Sequence, residues 1–291
     1  MTLNAKDSLA FVLSLIILNF LGPLAVFLPA PFFLFRHKFS LTSLFLLSLI
    51  PPVLFWYVAP DSFTLLSSLI HYFSLSLAAL VFIRFENSGS EFKKIMIPAL
   101  SIFVVVVFSV FVYSFILHGD ILKEFSDKIL QLNGMDESDI KLGLKFLKLT
   151  MLGAVFFSEA IIFLLNLFLF KNRASLNFRI SLYKTPQFLV IAAIFFVFSA
   201  NLLFFIDIKT DLIYIIYIAL GFLFFFTFFV QGIAVYLMFL STFLHSPFAR
   251  FFFIVIIFMY PIPLMLGLVG ILDFWFDFRK RIINSGGGKL V

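Results

Sequence analysis

The sequence predicts an all-α fold, a polytopic bundle of transmembrane helices that forms a single membrane domain over residues 1–281. Apolar residues make up 63% of the 291 residues, charged residues only 12%, and 48 positions are phenylalanine. A water-soluble chain of this length cannot bury so much apolar side chain, because its surface must be largely polar. Several apolar stretches also reach the roughly 20 residues that a helix needs to cross the hydrocarbon core.

Six stretches are predicted as clear spans because they are long, apolar and almost free of charge. They cover residues 40–58, 62–83, 95–117, 149–170, 186–206 and 212–243. The last is longer than one crossing requires, so it either tilts or extends past the interface.

Proline breaks the apolar stretches at the two ends of the chain. Residues 9–35 contain Gly22-Pro23 and Pro29-Ala30-Pro31, and residues 251–278 contain Pro261-Ile262-Pro263, Gly267 and Gly270. Proline lacks the backbone donor and clashes with the preceding turn, so each stretch is either one kinked span or a hairpin of two short helices.

The distribution of basic residues favours hairpins at both ends. Basic clusters occur at Arg36/Lys38, at Arg84/Lys93/Lys94, within residues 171–184 and at residues 279–281. The positive-inside rule places all four in the cytoplasm only if both end stretches return to the side on which they start. We therefore expect hairpins or re-entrant helices, with both termini in the cytoplasm. The net charge of +6 then reflects loops held against an anionic membrane face, and no nucleic-acid partner is expected.

Residues 118–148 are the one sizeable polar segment and are predicted to lie outside. Ile121, Leu122, Phe125, Ile129 and Leu130 recur at three- and four-residue spacing, which indicates an amphipathic helix. Asp136 or Ser138 would cap the next helix, which continues into the following span. The segment either rests on the outer membrane face or acts as a lid or docking surface. Residues 282–291 are typical of a flexible tail, because serine and three glycines occur there.

Three segments carry a resemblance to a known family. Residues 135–173 include Glu137, Leu149, Asn166 and Asn172-Arg173; residues 228–235 read Phe-Phe-Val-Gln-Gly-Ile-Ala-Val; and residues 268–281 place Gly270, Asp273 and Asp277 before Phe-Arg-Lys-Arg. Together they resemble the YybS-like family of bacterial polytopic membrane proteins. The resemblance implies the inner membrane and a fold similar to the S components of energy-coupling-factor transporters and to the cell-wall scaffold MreD. Those two relationships imply different functions.

Glu159 is the outstanding candidate for a ligand site, since it lies near the middle of a predicted span. A charge at that depth costs roughly 2.5–3.5 kcal/mol on insertion scales. Asn166 follows two helical turns later and shares its face. The pair would bind a cation, a proton or a substrate ammonium. Alternatively, a protonated Glu159 is bonded to another helix through Asn19, Asn201 or Gln231.

Gln231 and Gly232 are a second candidate, predicted at mid-span. Glycine lets the backbone of a second helix approach closely, and glutamine can form a hydrogen bond between the two helices. The pair therefore serves either helix packing or ligand binding.

The densest charged set is Asp273, Asp277, Arg279 and Lys280. On one helix Asp273 and Asp277 would be one turn apart, and Asp277 would pair with Arg281. The set is either a membrane-edge anchor or a cytoplasmic docking face for a protein partner.

We expect no enzymatic activity, cofactor or metal site, because the sequence contains no catalytic or phosphate-binding motif, no metal-ligand spacing and no cysteine. Two functions are compatible with these features. One is a binding or transport subunit for a small amphiphilic ligand, which takes its energy from a partner. The other is a structural scaffold or anchor of a multi-protein complex.

Overall fold

The computed structural model describes residues 4–20, 22–58, 62–116, 137–205, 211–244, 246, 256–257 and 261–286. Within these ranges the chain is all-helical and contains no strand, which confirms the predicted all-α class. In chain order the helices are α1 Ala5–Phe20, α2 Pro29–Phe35, α3 Leu41–Ser48, α4 Ile50–Val58, α5 Ser62–Phe85, α6 Glu91–Ile116, α7 Glu137–Phe170, α8 Gln187–Phe205, α9 Asp211–Phe243, α10 Ile262–Phe276 and α11 Phe278–Gly286, with 3₁₀ turns at Gly22–Phe27 and Ile180–Leu182.

Five helical segments of the described chain are long and apolar enough to cross a membrane. They are Leu41–Val58, Thr64–Phe85, Glu91–Val112, Thr150–Phe170 and Tyr214–Phe243. Each coincides with one of the predicted spans. The remaining predicted span, 186–206, is helical as α8.

The chain divides into two compact units. Unit 1 comprises residues 1–87, 94–177 and 210–219, and unit 2 comprises residues 88–93, 178–209 and 220–291. The single domain over residues 1–281 stays a prediction.

The first apolar stretch is a broken hairpin in unit 1. The 3₁₀ turn follows α1, and α2 begins at Pro29, where the fixed φ of proline suits the first helical turn. Phe11 of α1 packs against Phe32 and Phe35 of α2, with ring centroids 5.2 and 5.7 Å apart. The side chains of Asp7 and Lys38 form an ion pair at 2.6 Å. The start of α1 therefore lies beside the end of α2, as a hairpin requires.

The predicted span 40–58 is kinked where α3 gives way to α4. Pro51 and Pro52 cause the break, since a proline N has no hydrogen to donate to the carbonyl four residues earlier. For Pro52 that carbonyl belongs to Ser48, and the Tyr72 hydroxyl of α5 donates to it instead at 2.7 Å. Phe55 of α4 then packs on the Tyr72 ring, with centroids 5.5 Å apart. The kink therefore positions α4 against α5.

Helices α2, α5 and α7 meet in an aromatic core in unit 1. The rings of Phe33, Phe82 and Phe163 lie 5.6 to 6.3 Å apart, centroid to centroid, and all three are fully buried. T-shaped contacts of this kind add to the energy of packing. This core holds α5 and α7 side by side, so polar groups on their facing sides come into contact.

Glycines join α9 to α10 in unit 2. A Cβ atom at Gly232 would collide with the carbonyl of Leu266, and one at Gly270 with the carbonyl of Phe228. Gly267 faces the ring of Phe225 in the same way. Gly267 and Gly270 thus do not interrupt the helix, contrary to expectation; Gly270 lets two backbones approach closely, and Gly267 makes room for an aromatic ring. Pro261 and Pro263 lie at the start of α10. Most of the preceding half of the predicted hairpin, residues 251–255 and 258–260, lies outside the described residues.

Two further predictions concern α7 and α11. Helix α7 begins at Glu137 and runs without a break into the span, as expected. The amphipathic helix predicted before it, over residues 121–130, lies outside the described residues. Helix α11 extends to Gly286, where the sequence predicts a flexible tail from residue 282.

Candidate functional site

Glu159 of α7 pairs with His71 of α5. The Glu159 Oε1 atom lies 2.8 Å from His71 Nδ1, and the two side chains are only 9% and 21% exposed. The sequence predicted Asn19, Asn201 or Gln231 as the partner of Glu159. The prediction was wrong for Asn19 and Gln231, since His71 takes that position. The side chain of Asn201 lies outside the described residues. The aromatic core contributes to the pairing, because it fixes α5 against α7.

The position of one proton in this pair follows from its neighbours. His71 Nε2 lies 3.3 Å from the carbonyl oxygen of Ala25, which only accepts hydrogen bonds, so Nε2 carries a hydrogen. The bond between Nδ1 and Oε1 then holds a single proton, bound either to the imidazole or to the carboxyl group. In both forms the pair has no net charge, which suits a position inside a membrane. Loss of that proton would leave an uncompensated carboxylate.

Asn166 lies on the same face of α7 and contacts the same 3₁₀ turn. Its Nδ2 donates to the carbonyl of Val26 at 2.6 Å and to that of Ile162 at 2.9 Å. Glu159 reaches Ala25 through His71, so Ala25 and Val26 join the two side chains. We call Glu159, His71, Asn166 and the carbonyls of Ala25 and Val26 the polar cluster. The predicted shared face of Glu159 and Asn166 is confirmed.

Two oxygens of the polar cluster are acceptors without a donor. Glu159 Oε2 and Asn166 Oδ1 are buried and have no hydrogen-bond partner among the described residues. A buried oxygen in that state is costly, so such atoms are typical of places where a donor or a cation binds. The break between α1 and α2 also presents the carbonyls of Ala25 and Val26 to these side chains, as in discontinuous helices that line binding sites.

Gln231 and Gly232 belong to unit 2 and have structural partners. Gln231 Oε1 accepts from the backbone N–H of Thr185 at 2.9 Å, and its Nε2 donates to Asp273 Oδ2 at 3.1 Å. Thr185 precedes α8, so Gln231 lies level with the start of α8. Both ends of the Gln231 amide are used and Gly232 packs against α10, which supports the packing interpretation over ligand binding.

Asp273 and Arg279 form a buried ion pair, which removes both from the predicted docking face. Arg279 Nε and Nη2 lie 3.0 and 2.9 Å from Asp273 Oδ2, and Arg279 Nη1 donates to the Tyr183 carbonyl. The Asp273 side chain is fully buried and that of Arg279 is 11% exposed. A buried carboxylate cannot contact a partner protein, so Asp273 and Arg279 act within the chain.

Asp277 and Lys280 are exposed, as a docking face requires. Asp277 adopts a left-handed conformation, with φ 46° and ψ 54°, and ends α10. The continuous helix expected from Asp273 to Arg281 is therefore wrong, although Asp277 still lies one turn before Arg281, since the Arg281 backbone N–H donates to the Asp277 carbonyl at 3.3 Å. This turn brings Arg279 back onto Asp273.

Arg36 is a further basic residue with a structural role. Its Nη2 pairs with Glu86 Oε1 at 3.2 Å and donates to the carbonyl of Ser175 at 2.9 Å. Burial lowers the pKa of the Arg36 guanidinium, and the Glu86 carboxylate opposes that change. Arg36 thus holds the end of α2 against the loop after α7.

His71 is the main site residue that sequence reasoning did not select as a ligand-site residue. The signal was present, since His71 is a single titratable residue in an apolar span, but its contact with Glu159 is 88 residues distant in sequence. The carbonyls of Ala25 and Val26 carry no side-chain signal at all. Only the break at Gly22-Pro23 points to them.

Comparisons of the chain with protein-family models, curated proteins and solved structures found no match. The interpretation of the polar cluster therefore depends on its own geometry.

Proposed function

We propose that this chain is a non-enzymatic membrane subunit that binds or transports a small amphiphilic ligand at the polar cluster. The observation that carries the proposal is the buried pair of Glu159 and His71 beside a broken helix. Ionisable groups inside spans are costly and mark ion, proton or ligand sites. A purely structural contact would not need two titratable groups, because an amide or hydroxyl satisfies the same bond more cheaply.

The chemistry of the cluster favours a ligand with a cationic or proton-donating group. Glu159 Oε2 and Asn166 Oδ1 can only accept hydrogen bonds. Among the described residues, the basic group paired with Glu159 is His71. A ligand ammonium that displaces the shared proton would leave the net charge of the site unchanged. Binding would then release a proton, so uptake would be coupled to pH. Energy beyond that gradient would come from a partner protein.

The proposal extends to topology and family. We propose six spans with hairpins at both ends, an S-component-like arrangement, membership of the YybS-like family, and an inner-membrane location with cytoplasmic termini. The contact between Asp7 and Lys38 supports the first hairpin, since it brings residues on either side of the stretch together. The segregation of basic residues supports the orientation.

A scaffold role is the second candidate. Asp277 and Lys280 favour it, since both are exposed at the turn that ends α10. The surface they offer a partner is smaller than the sequence predicted, because Asp273 and Arg279 are buried together.

Substitution of Glu159 tests the ligand site. We expect small amphiphilic amines from a panel to raise the melting temperature of the wild-type protein in detergent, and Glu159→Gln to abolish that response. Ser158→Ala is the matched control, because Ser158 is the exposed neighbour on α7 and bonds only to the Val155 carbonyl of its own helix. If Glu159→Gln responds to the amines as Ser158→Ala does, the polar cluster is not the ligand site.

A further inference from the structure

A second candidate site lies in unit 2, away from the residues used above. A groove of about 470 Å³ runs between the end of α9, the first half of α10 and α11. Val235 and Phe239 line it from α9, Leu266 and Val269 from α10, and Arg281 and Ile282 from α11. Its walls are apolar apart from the Tyr236 hydroxyl and the Arg281 guanidinium. Its volume falls in the range of ordinary small-molecule sites, about 300–1,000 Å³.

The groove surrounds the last third of α9. It begins at Val235, four residues after Gln231, and Phe239 and Phe243 continue it towards the end of the helix.

The turn at Asp277 separates the three basic residues that follow it. Arg279 turns inward to Asp273, while Lys280 and Arg281 are exposed. Arg281 contributes directly to the groove wall, and Lys280 is its neighbour on α11. One rim of an apolar groove therefore carries positive charge from two adjacent side chains.

We propose that this groove binds one anionic phospholipid, with an acyl chain along α9 and α10 and the phosphodiester at Arg281 and Lys280. Charge complementarity selects this occupant, because a guanidinium binds phosphate oxygens in a bidentate manner. Basic pockets beside spanning helices on the cytoplasmic face bind anionic headgroups. Phosphatidylcholine carries the same phosphodiester, but its choline cation cancels that charge, so the basic rim favours a lipid with a net negative charge.

Lipid titration followed by native mass spectrometry tests this assignment on the full chain in detergent. We expect phosphatidylglycerol to bind more tightly than phosphatidylcholine. Arg281→Gln should weaken phosphatidylglycerol binding about fivefold, the value for one basic residue near an anionic surface, and weaken phosphatidylcholine binding by a smaller factor. Val269→Phe should weaken binding of both lipids, because the larger ring fills the groove.

Arg173→Gln is the control for net charge, since Arg173 is an exposed arginine in a loop of unit 1. We expect it to bind both lipids as the wild type does. Equal affinity for the two lipids, or equal behaviour of Arg281→Gln and Arg173→Gln, would overturn the proposal even if Val269→Phe fails to fold. If Arg281→Gln loses only a co-purifying protein while lipid binding is unchanged, the groove is a protein-docking surface and the lipid assignment is wrong.

Discussion

Replacing Arg279 with glutamine is expected to lower the free energy of unfolding by about 3–5 kcal/mol, the cost of leaving one member of a buried ion pair uncompensated. Asp273 would be left without its charged partner in a fully buried position. The variant also loses the bond from Arg279 to the Tyr183 carbonyl, which anchors α11 to the loop before α8. Unfolding in mixed detergent micelles, followed by circular dichroism, measures the change.

Two matched variants separate the buried pair from general charge effects. Lys280→Gln removes the neighbouring positive charge from an exposed position, where the free energy of unfolding should change by less than about 0.5 kcal/mol. The double variant Asp273→Asn with Arg279→Gln should be more stable than Arg279→Gln alone, because no buried charge remains. Equal destabilisation by Arg279→Gln and Lys280→Gln would show that the pair does not hold α10 and α11.

Replacing Gly232 with alanine is expected to destabilise the protein by about 3 kcal/mol, at the upper end of the usual cost of overpacking. The new methyl group would occupy the space of the Leu266 backbone carbonyl, and a backbone cannot move aside as a flexible side chain does. Helices α9 and α10 would separate, and the bond between Gln231 and Asp273 would be disrupted with them. The same unfolding measurement detects the loss.

Gly221→Ala on the same helix is the control. A Cβ atom there meets only the Phe196 ring, at 3.4 Å, which is an ordinary contact. Because alanine is a better helix former than glycine, this variant should be as stable as the wild type or more stable by up to about 1 kcal/mol. If Gly232→Ala and Gly221→Ala behave alike, the close approach of α9 to α10 at Gly232 is contradicted.

Local patterns in the sequence were enough to predict most of the fold. Long uncharged stretches located the helices, because the hydrocarbon core demands both length and hydropathy. The prolines and the basic residues together indicated the first hairpin. The kink at Pro51 and Pro52 had a sequence signal too, but the span was predicted as continuous, since its hydropathy does not change there. Gly267 and Gly270 were misinterpreted as breaks, because glycine serves close packing as well as turns.

The candidate site was predicted only in part, for a physical reason. Glu159 and Asn166 were identified because a polar side chain in a span is conspicuous and helical spacing fixes their shared face. The partner His71 depends on how α5 packs against α7, and local sequence carries no information on that contact. Asp273 and Arg279 were assigned to a surface because both are charged. The left-handed turn at Asp277, which buries them together, leaves no pattern that separates it from a continuous helix.

The exchange of the proton held by Glu159 and His71 is the most direct test of the central claim. Infrared difference spectra of the protein in lipid nanodiscs, taken with and without a bound amphiphilic amine, report carboxyl groups whose proton or hydrogen bond changes on binding. The polar cluster predicts a carboxyl difference signal in the wild type and in Ser158→Ala that is absent from Glu159→Gln. Spectra in which Glu159→Gln matches the wild type would show a static contact between two helices and would contradict a ligand site at Glu159.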